Sequence, residues 1–177
     1  MKLFAKVSRS SAMFIAALTC LMLAGSISAF AVRQTHTAKA AAAVTVVTES
    51  EITFIGSTAF QNLSGATAAI TVPAGQVQLV QAEFSADSTC QGAFAENFCR
   101  VQILADEAEM NPITAGDFAF DGVGTADDFY EAHAMQRSVL LGPGKHTIRV
   151  QAAVTLSGMA LFLDDWSLTI TQYNNGK

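Results

Sequence analysis

The stretch "WSLTITQY", residues 166–173, alternates between apolar and hydroxyl-bearing side chains over most of its length. Trp166, Leu168 and Ile170 share one parity, and the serine and threonine residues between them share the other. Side chains of a β-strand point alternately to opposite faces of a sheet, so this alternation predicts a strand with one buried and one solvated face. Such a strand needs a second layer over its apolar face, which restricts the chain to layered sheet architectures.

Similar alternation recurs through the chain, and no stretch after Ala43 shows the spacing of an amphipathic helix. The runs "HTIRVQAAV" at 146–154 and "CRVQIL" at 99–104 are the next clearest strands. We expect "HTIRVQAAV" and "WSLTITQY" to pack together in the core through Ile148, Val150, Leu168 and Ile170. The other candidate strands are "VTVVT", "EITFI", "AAITV", "QVQLVQAEF", "FAF", "MQRSVLL" and "MALFL".

Turn-forming residues separate these candidate strands. The stretches "VPAGQ" at 72–76 and "GPGK" at 142–145 combine proline, which fixes φ, with glycine, which tolerates positive φ. Many short strands joined by turns are typical of all-β folds. The sequence therefore predicts an antiparallel two-sheet β-sandwich of the jelly-roll or Greek-key type over residues 44–177.

The N-terminus has the three parts of a secretory signal peptide. A basic start precedes an apolar run at 12–25, and an A-x-A cleavage pattern follows at 29–31. We predict that residues 1–31 form a signal helix that is removed on export and that residues 32–43 form a flexible linker. Two alternatives stay open, which are cleavage after Ala40 and retention of the apolar run as a membrane anchor. The basic residues are Lys2, Lys6 and Arg9.

The predicted mature chain is acidic. Loss of residues 1–31 removes three of the 10 lysines and arginines and none of the 15 acids, which leaves a net charge of −8 over 146 residues. Nucleic acids and anionic membranes are both bound through clustered positive charge. We therefore expect no nucleic-acid partner, and membrane association only where the signal segment is uncleaved.

Cys90 and Cys99 are the two cysteines that remain after the predicted signal peptide, which contains Cys20. In an oxidising compartment, a lone pair of cysteines is usually a disulfide. A zinc site needs two further ligands, yet the predicted domain contains only His133 and His146, without the close spacing of a zinc motif. A redox centre favours the C-x-x-C spacing, which is absent. The sequence therefore predicts a structural Cys90–Cys99 disulfide.

The stretches "VPAGQVQLVQAEFSADSTC", "FCRVQILAD" and "LFLDDWSLTI" resemble a group of uncharacterised secreted bacterial proteins with jelly-roll-like β-sandwich domains. The resemblance covers most of the predicted domain, and its most specific parts are the paired cysteines, the Pro-Gly turn at 142–145 and the C-terminal strand. It implies export and a sandwich fold, and it implies no activity and no functional residues. The strand "PGKHTIRVQ" is also similar to strands of tumour-necrosis-factor-like jelly rolls, which form trimers.

The sequence lacks the common motifs of hydrolases. There is no G-x-S-x-G nucleophile elbow, and His133 and His146 are the only histidines of the predicted domain. We expect His146 to pack or form hydrogen bonds beside its turn, and we expect His133 to be exposed. The sequence therefore predicts a protein that is not an enzyme and that uses no cofactor.

A cluster of carboxylates between residues 117 and 131 is the candidate metal site. Five acids lie in this stretch around a flexible Gly-Val-Gly, with no Lys or Arg among them. Oxygen-rich loops bind calcium when carboxylates and carbonyls supply about six to eight ligands. The EF-hand spacing is missing, so we expect a solvated loop, with calcium binding as the alternative. The acids are Asp117, Asp121, Asp127, Asp128 and Glu131.

These features favour a secreted, non-enzymatic β-sandwich that acts by binding or assembly at or outside the cell surface. The expected partner is a protein or a glycan at the cell exterior, and the chain itself can form oligomers. The alternative is a carbohydrate-binding or calcium-dependent adhesive module, which requires a row of exposed aromatic side chains or a cation site. A hydrolase on the same fold is the third possibility, and it requires a pocket where histidine or paired acids converge.

Overall fold

A computed structural model describes residues 40–92, 97–123 and 129–174. Regular structure in these ranges consists of ten β-strands, and no helix among the described residues is long and apolar enough to cross a bilayer. The predicted signal helix lies outside these ranges. The strands are β1 (Ala41–Glu49), β2 (Thr53–Ile55), β3 (Gln61–Val72), β4 (Gln78–Gln91), β5 (Phe98–Ala105), β6 (Ala108–Glu109), β7 (Ala119–Gly122), β8 (Glu131–Leu141), β9 (Gly144–Val154) and β10 (Ala160–Asn174).

The strands form two five-stranded antiparallel sheets with a shared hydrophobic core between them. Sheet A has the order β1-β10-β4-β8, and β2 also pairs with β10. Sheet B has the order β3-β9-β5-β6, and β7 also pairs with β5. The predicted all-β sandwich is therefore confirmed.

The strand pairs are nested along the chain. β1 pairs with β10, β3 with β9, β4 with β8, and β5 with both β6 and β7. Successive pairs in this series fall in alternate sheets, so the chain is wound like one long hairpin folded over on itself. Strands from two Greek keys arranged in this way make a jelly roll, which confirms the predicted topology.

The alternation that predicted the strands also builds the core. Ile148, Val150, Leu168 and Ile170 are fully buried and belong to one hydrophobic cluster between the sheets. Trp166 is buried in the same core, with only 1% of its surface exposed. Burial of each such side chain contributes roughly 1.5–3 kcal/mol to stability. β9 and β10 therefore carry a large part of the core, as expected from "HTIRVQAAV" and "WSLTITQY".

The domain begins three residues earlier than the sequence predicts. β1 starts at Ala41, so residues 41–43 belong to the sheet and not to the linker. Their backbone pairs with the end of β10, where Ala41 lies opposite Tyr173 and Ala43 lies opposite Gln172. A run of alanines shows no alternation, so side-chain patterning could not assign it to a strand. The boundary is fixed by backbone pairing with a strand from the other end of the chain.

The connection between β5 and β6 is a two-residue turn, Asp106–Glu107, that contains no glycine. Asp106 and Glu107 have φ values of 48° and 71°, in the left-handed region that glycine and asparagine usually occupy. Bonds from both side chains to β9 hold this conformation. Asp106 accepts a hydrogen bond from the Thr147 amide at 2.8 Å and pairs with His146 at 2.6 Å. Glu107 forms an ion pair with Arg149.

The Asp106–His146 pair moves both groups towards their charged forms. The hydrogen bond with His146 lowers the pKa of Asp106, and the bond from the Thr147 amide adds to this effect. The hydrogen bond with Asp106 raises the pKa of His146, burial opposes the rise, and the Gly142 carbonyl reinforces it. That carbonyl lies 2.9 Å from Nε2 of His146. Both ring nitrogens of His146 are therefore hydrogen-bonded beside the turn, as expected from the sequence.

We expect this pair to stabilise the fold most between about pH 4 and pH 6.5, the range between the ordinary pKa values of its groups. The raised histidine pKa gives a contribution that is complete below about pH 6.5 and is lost as the pH rises through the folded-state pKa. The lowered aspartate pKa gives a contribution that is present above about pH 3.9 and is lost as the pH falls through the folded-state pKa. Denaturant unfolding of the wild type and Asp106→Asn at about pH 5.5 and 8.5 measures the effect.

Asp106→Asn is a clean probe, because asparagine tolerates positive φ and keeps an oxygen for the Thr147 amide. The substitution removes the negative charge that pairs with His146. The gap in unfolding free energy between the wild type and the variant should shrink from about pH 5.5 to about pH 8.5. A gap that stays constant or widens over this range would contradict the role given to the pair.

Candidate functional site

Cys90 and Cys99 form a disulfide, as predicted, with their Cα atoms 5.8 Å apart. Cys90 lies near the end of β4 in sheet A, and Cys99 lies at the start of β5 in sheet B. Both cysteines are buried. The bond therefore joins the two sheets at one end of the sandwich, a position that suits a structural cross-link. A disulfide is also consistent with an extracytoplasmic location.

The described acids of the candidate calcium loop lie in different environments. Asp117 and Glu131 are exposed, whereas Asp121 is buried in β7. The prediction of a solvated carboxylate is therefore wrong for Asp121, because its strand turns it into the sandwich. Asp127 and Asp128 lie outside the described residues. Within the described part of the chain, no group of three or more His, Cys, Asp or Glu side chains is placed to hold a metal ion.

Asp121 belongs to a buried polar cluster with Ser88 of β4 and His133 of β8. The Ser88 hydroxyl donates to Asp121 Oδ2 at 2.7 Å and lies 2.9 Å from His133 Nδ1. Ser88 is fully buried, and the His133 side chain is 27% exposed. The Phe120 ring lies beside the imidazole, with centroids 5.8 Å apart. The expectation of an exposed His133 is therefore wrong, because neighbouring strands cover most of its ring.

Serine, histidine and aspartate meet here in an order that does not suit nucleophilic catalysis. In a hydrolytic triad, the histidine accepts the serine proton and the acid supports the histidine. Ser88 has one hydroxyl hydrogen and donates it to Asp121, so its oxygen accepts from Nδ1–H of His133. The serine thus lies between the other two groups and is closed off from solvent. The arrangement is a buried hydrogen-bond network that joins β4 and β8 of sheet A to β7 of sheet B.

We expect Ser88→Ala to destabilise the fold by about 1–3 kcal/mol, because it removes the donor to the buried Asp121 carboxylate. Ser85→Ala is the matched control, since Ser85 lies on the same strand and bonds Ser167 at 2.9 Å on the outer face of the sheet. The control should cost less than about 1 kcal/mol. Denaturant unfolding followed by Trp166 fluorescence measures both. Equal losses would contradict the network, and labelling of Ser88 by a serine-reactive phosphonate would reveal an accessible nucleophile.

A second feature lies on the other side of the sandwich, where the chain carries almost no charge. Residues 40–48 and 52–82 contain no Asp, Glu, Lys or Arg. They supply all of β2 and β3 and all of β1 except Glu49. β1 and β3 also contact each other across the two sheets. We call β1, β2 and β3 together the uncharged flank.

β1 is an edge strand whose outer side is open. It pairs with β10 alone, and within the described residues its other edge has no backbone partner. Val44 and Val46 are 58% and 57% exposed. Edge strands usually carry charge, proline or a covering segment that blocks further pairing. β1 has only a bulge at Ala42, where the register with β10 shifts.

The opposite edge of sheet A is protected. The backbones of Asn111 and Ser138 exchange two hydrogen bonds of 2.9 Å, which cover the middle of β8. Arg137 of β8 points into the interior, and its guanidinium carbon lies 4.5 Å from the centre of the Phe118 ring. Covering segments and inward charges are both devices that prevent pairing with another chain. Sheet A therefore has one protected edge, β8, and one open edge, β1.

The edge of sheet B on the uncharged flank is interrupted. The register of β3 shifts between Asn62 and Thr67, around Gly65 with φ 79°. A side chain at Gly65 would start 3.5 Å from the Trp166 ring, so this bend packs directly on the core. Glu49 is the one charged residue of β1, and its carboxylate accepts a hydrogen bond from the adjacent Ser50 amide at 2.9 Å. β1 is therefore the more regular edge of this flank, and it carries no charge from Ala41 to Thr48.

An open pocket of about 300 Å³ lies where β1 ends. β10 bulges there between Asp164 and Ser167, and Asp165 has φ 44°. The carboxylates of Glu49 and Asp164 accept hydrogen bonds from nearby backbone amides, so they serve the turns of the chain itself. The pocket is lined by Thr48, Glu49, Ser50, Asp165, Trp166 and Ser167.

The exposed aromatic side chains do not form the row that a glycan-binding surface requires. Phe54 on β2 is exposed beside Phe162, with ring centroids 5.5 Å apart, at one edge of sheet A. Phe129 and Tyr130 precede β8 at the other edge, and β10 and β4 separate the two groups. Trp166 is buried. The carbohydrate-binding alternative thus has no aromatic platform among the described residues.

Sequence reasoning missed both the open edge and the buried cluster. The lack of charge over residues 40–48 and 52–82 was a usable signal for the edge, because uncharged strands at a sheet edge are unusual. The cluster left no signal, since Ser88, Asp121 and His133 are distant in the chain. They meet only through the pairing of β4 with β8 and the packing of β7 over it.

Comparison with known proteins does not assign this chain to a family. No family model matches the chain, and no curated protein matches it. Among solved structures, the chain is similar to dimeric latent PorU from Porphyromonas gingivalis, with 14% sequence identity and a TM-score of 0.29. The match covers 80% of this chain and 14% of that chain. A TM-score this low carries no inference, so the resemblance to secreted jelly-roll proteins stays a prediction.

Proposed function

We propose that this protein is a secreted, non-enzymatic β-sandwich that acts by binding or assembly at or outside the cell surface, through the open edge of β1. The observation that carries the proposal is the combination, on one strand, of an edge without a backbone partner among the described residues, two exposed valines and no charged residue from Ala41 to Thr48. An open edge adds strands from other chains through backbone hydrogen bonds, and exposed side chains next to it add apolar contact.

Two further observations support this function. The disulfide between the sheets suits a protein that works in an oxidising compartment, in line with the predicted signal peptide. The residues that suit catalysis, Ser88 and His133, are engaged inside the sandwich with Asp121 and hold strands together. The polar groups of the fold thus serve its stability, while the uncharged flank is left available for contact.

The test compares the full chain with edge variants in cells that export it. Val44→Lys combined with Val46→Lys places two charges beside the open edge. Gln81→Lys combined with Gln136→Lys is the matched control, because it adds the same charge to the outer faces of β4 and β8, away from β1. We expect the wild type and the control to be retained in assemblies or on the cell exterior and the edge variant to be free and monomeric.

Cell-surface fractionation and sedimentation of the exported protein measure this retention. Trp166 fluorescence shows that each variant is folded, since this buried residue is the only tryptophan of the chain. Retention of the edge variant at the wild-type level would overturn the proposal. A wild type that is neither retained nor assembled would overturn it as well.

A further inference from the structure

We infer that the partner of the open β1 edge is a second copy of the same chain, paired antiparallel β1 to β1 so that the two A sheets become one continuous sheet. This inference rests on the proposed function and names its partner. A two-fold axis through the edge makes each strand the complement of the other. The same backbone groups that β1 leaves unpaired on one copy are the groups that the other copy offers.

The shape of β1 sets the register of this pairing. The strand is regular from Ala43 to Glu49, because its one bulge lies at Ala42. The centre of the regular stretch is Val46, so the axis that uses all of it passes beside this residue. Val46 then lies opposite Val46 of the second copy, and Val44 lies opposite Thr48. Side chains directly opposite each other in an antiparallel pair contact one another, with Cβ atoms roughly 4.5–5.5 Å apart.

The distribution of charge favours contact between two copies through the uncharged flank. The predicted mature chain has a net charge of −8, so two copies repel each other in most orientations. Approach through the uncharged flank brings few like charges together, since Glu49 is the only charged residue of β1, β2 and β3. In the β1–β1 register, Glu49 lies opposite Ala43 and not opposite Glu49 of the second copy. No charged residue therefore faces another across the strand pair.

The interface is small, and its strength follows from its size. Pairing of one seven-residue edge buries less than the roughly 1,200–2,000 Å² of a stable protein interface. We therefore expect reversible dimers with a dissociation constant of about 1 μM or weaker. Because like-charged copies approach each other, added salt should strengthen the association by screening their repulsion. An interface held by ion pairs would respond to salt in the opposite way.

Cross-linking tests the register. Val46→Cys places the new thiol on the two-fold axis, so mild oxidation of the exported full chain should give a covalent dimer on a non-reducing gel. Thr171→Cys is the matched control, because Thr171 lies beside Val44 on the neighbouring strand β10, one strand further from the axis on each copy. We expect at least tenfold more cross-linked dimer with Val46→Cys than with Thr171→Cys. Equal yields would indicate random collision and would overturn the inference.

Sedimentation at several protein concentrations separates this inference from the proposed function. Val44→Lys with Val46→Lys should raise the dissociation constant of the dimer at least tenfold. If the wild type is monomeric at all concentrations, yet the same lysines abolish retention on cells, then the self-pairing is overturned and the proposed function stands with a different partner. If the lysines change neither dimerisation nor retention, both are overturned.

Discussion

Replacement of Ile148 with aspartate should leave the domain unable to fold. Ile148 is fully buried on β9, which is paired on both sides within sheet B. The change removes roughly 1.5–3 kcal/mol of apolar burial and places a carboxylate in the core without a partner, which costs several kcal/mol more. These losses approach or exceed the roughly 5–15 kcal/mol of stability that a domain has in total. Circular dichroism and Trp166 fluorescence should show no cooperative transition.

Lys145→Asp is the control for this experiment. Lys145 lies three residues earlier on the same strand and is exposed, so aspartate there meets water. We expect this variant to unfold cooperatively, within about 1 kcal/mol of the wild type. A folded Ile148→Asp variant with the melting temperature of the wild type would contradict the core assigned to β9 and β10.

Reduction of the Cys90–Cys99 disulfide should destabilise the domain by about 2–3 kcal/mol. The bond closes a small ring, with a sequence separation of 9, and the loop-entropy estimate for a ring of this size is near 3 kcal/mol. It also ties sheet A to sheet B, so its loss frees one end of the sandwich. Unfolding curves with and without reductant measure the difference.

The double variant Cys90→Ala and Cys99→Ala tests the same effect without reductant. It should lose a similar amount of stability, and reductant should have no further effect on it. The same curve for reduced and oxidised wild type would contradict a structural role. Mass spectrometry of the unreduced, exported protein should find neither cysteine free, and two free thiols would contradict the bond itself.

Much of the fold could be predicted because its strands alternate cleanly between buried and exposed residues. Ile148, Val150, Leu168 and Ile170 were placed in the core by parity alone, and parity is what the packing of two sheets requires. The disulfide follows from the count of cysteines together with the predicted signal peptide. Turn residues located the boundaries between strands, since proline and glycine restrict or widen the allowed φ values.

The rest depended on contacts between distant parts of the chain. The β5–β6 turn places Glu107 at positive φ, where glycine is usual, and β9 bonds the side chains of both Asp106 and Glu107. "MALFL" and "WSLTITQY" looked like separate strands, yet they form the single strand β10 through a bulge at Asp165. The lack of charge around β1 is a signal for an open edge, but it does not give the position of β1 in the sheet. Whether a strand lies at an edge is decided by the order of all strands in the sheet.

The nested winding also dictates when folding can occur. β1 and β10 are neighbours in sheet A although nearly the whole domain separates them along the chain. β10 is also the strand that lies between β1 and β4, so sheet A has no centre until the C-terminus has been made. Pairings this distant in sequence make folding slow, because a long loop must close before these contacts can form. β1, β2, β3 and β4 pair with β8, β9 and β10, so these N-terminal strands cannot complete their sheets before the later strands are made. Sheet A therefore closes only after β10 has been synthesised. Such late closure would suit the export that the N-terminal sequence predicts, because a chain that has not yet folded can still be transferred across a membrane.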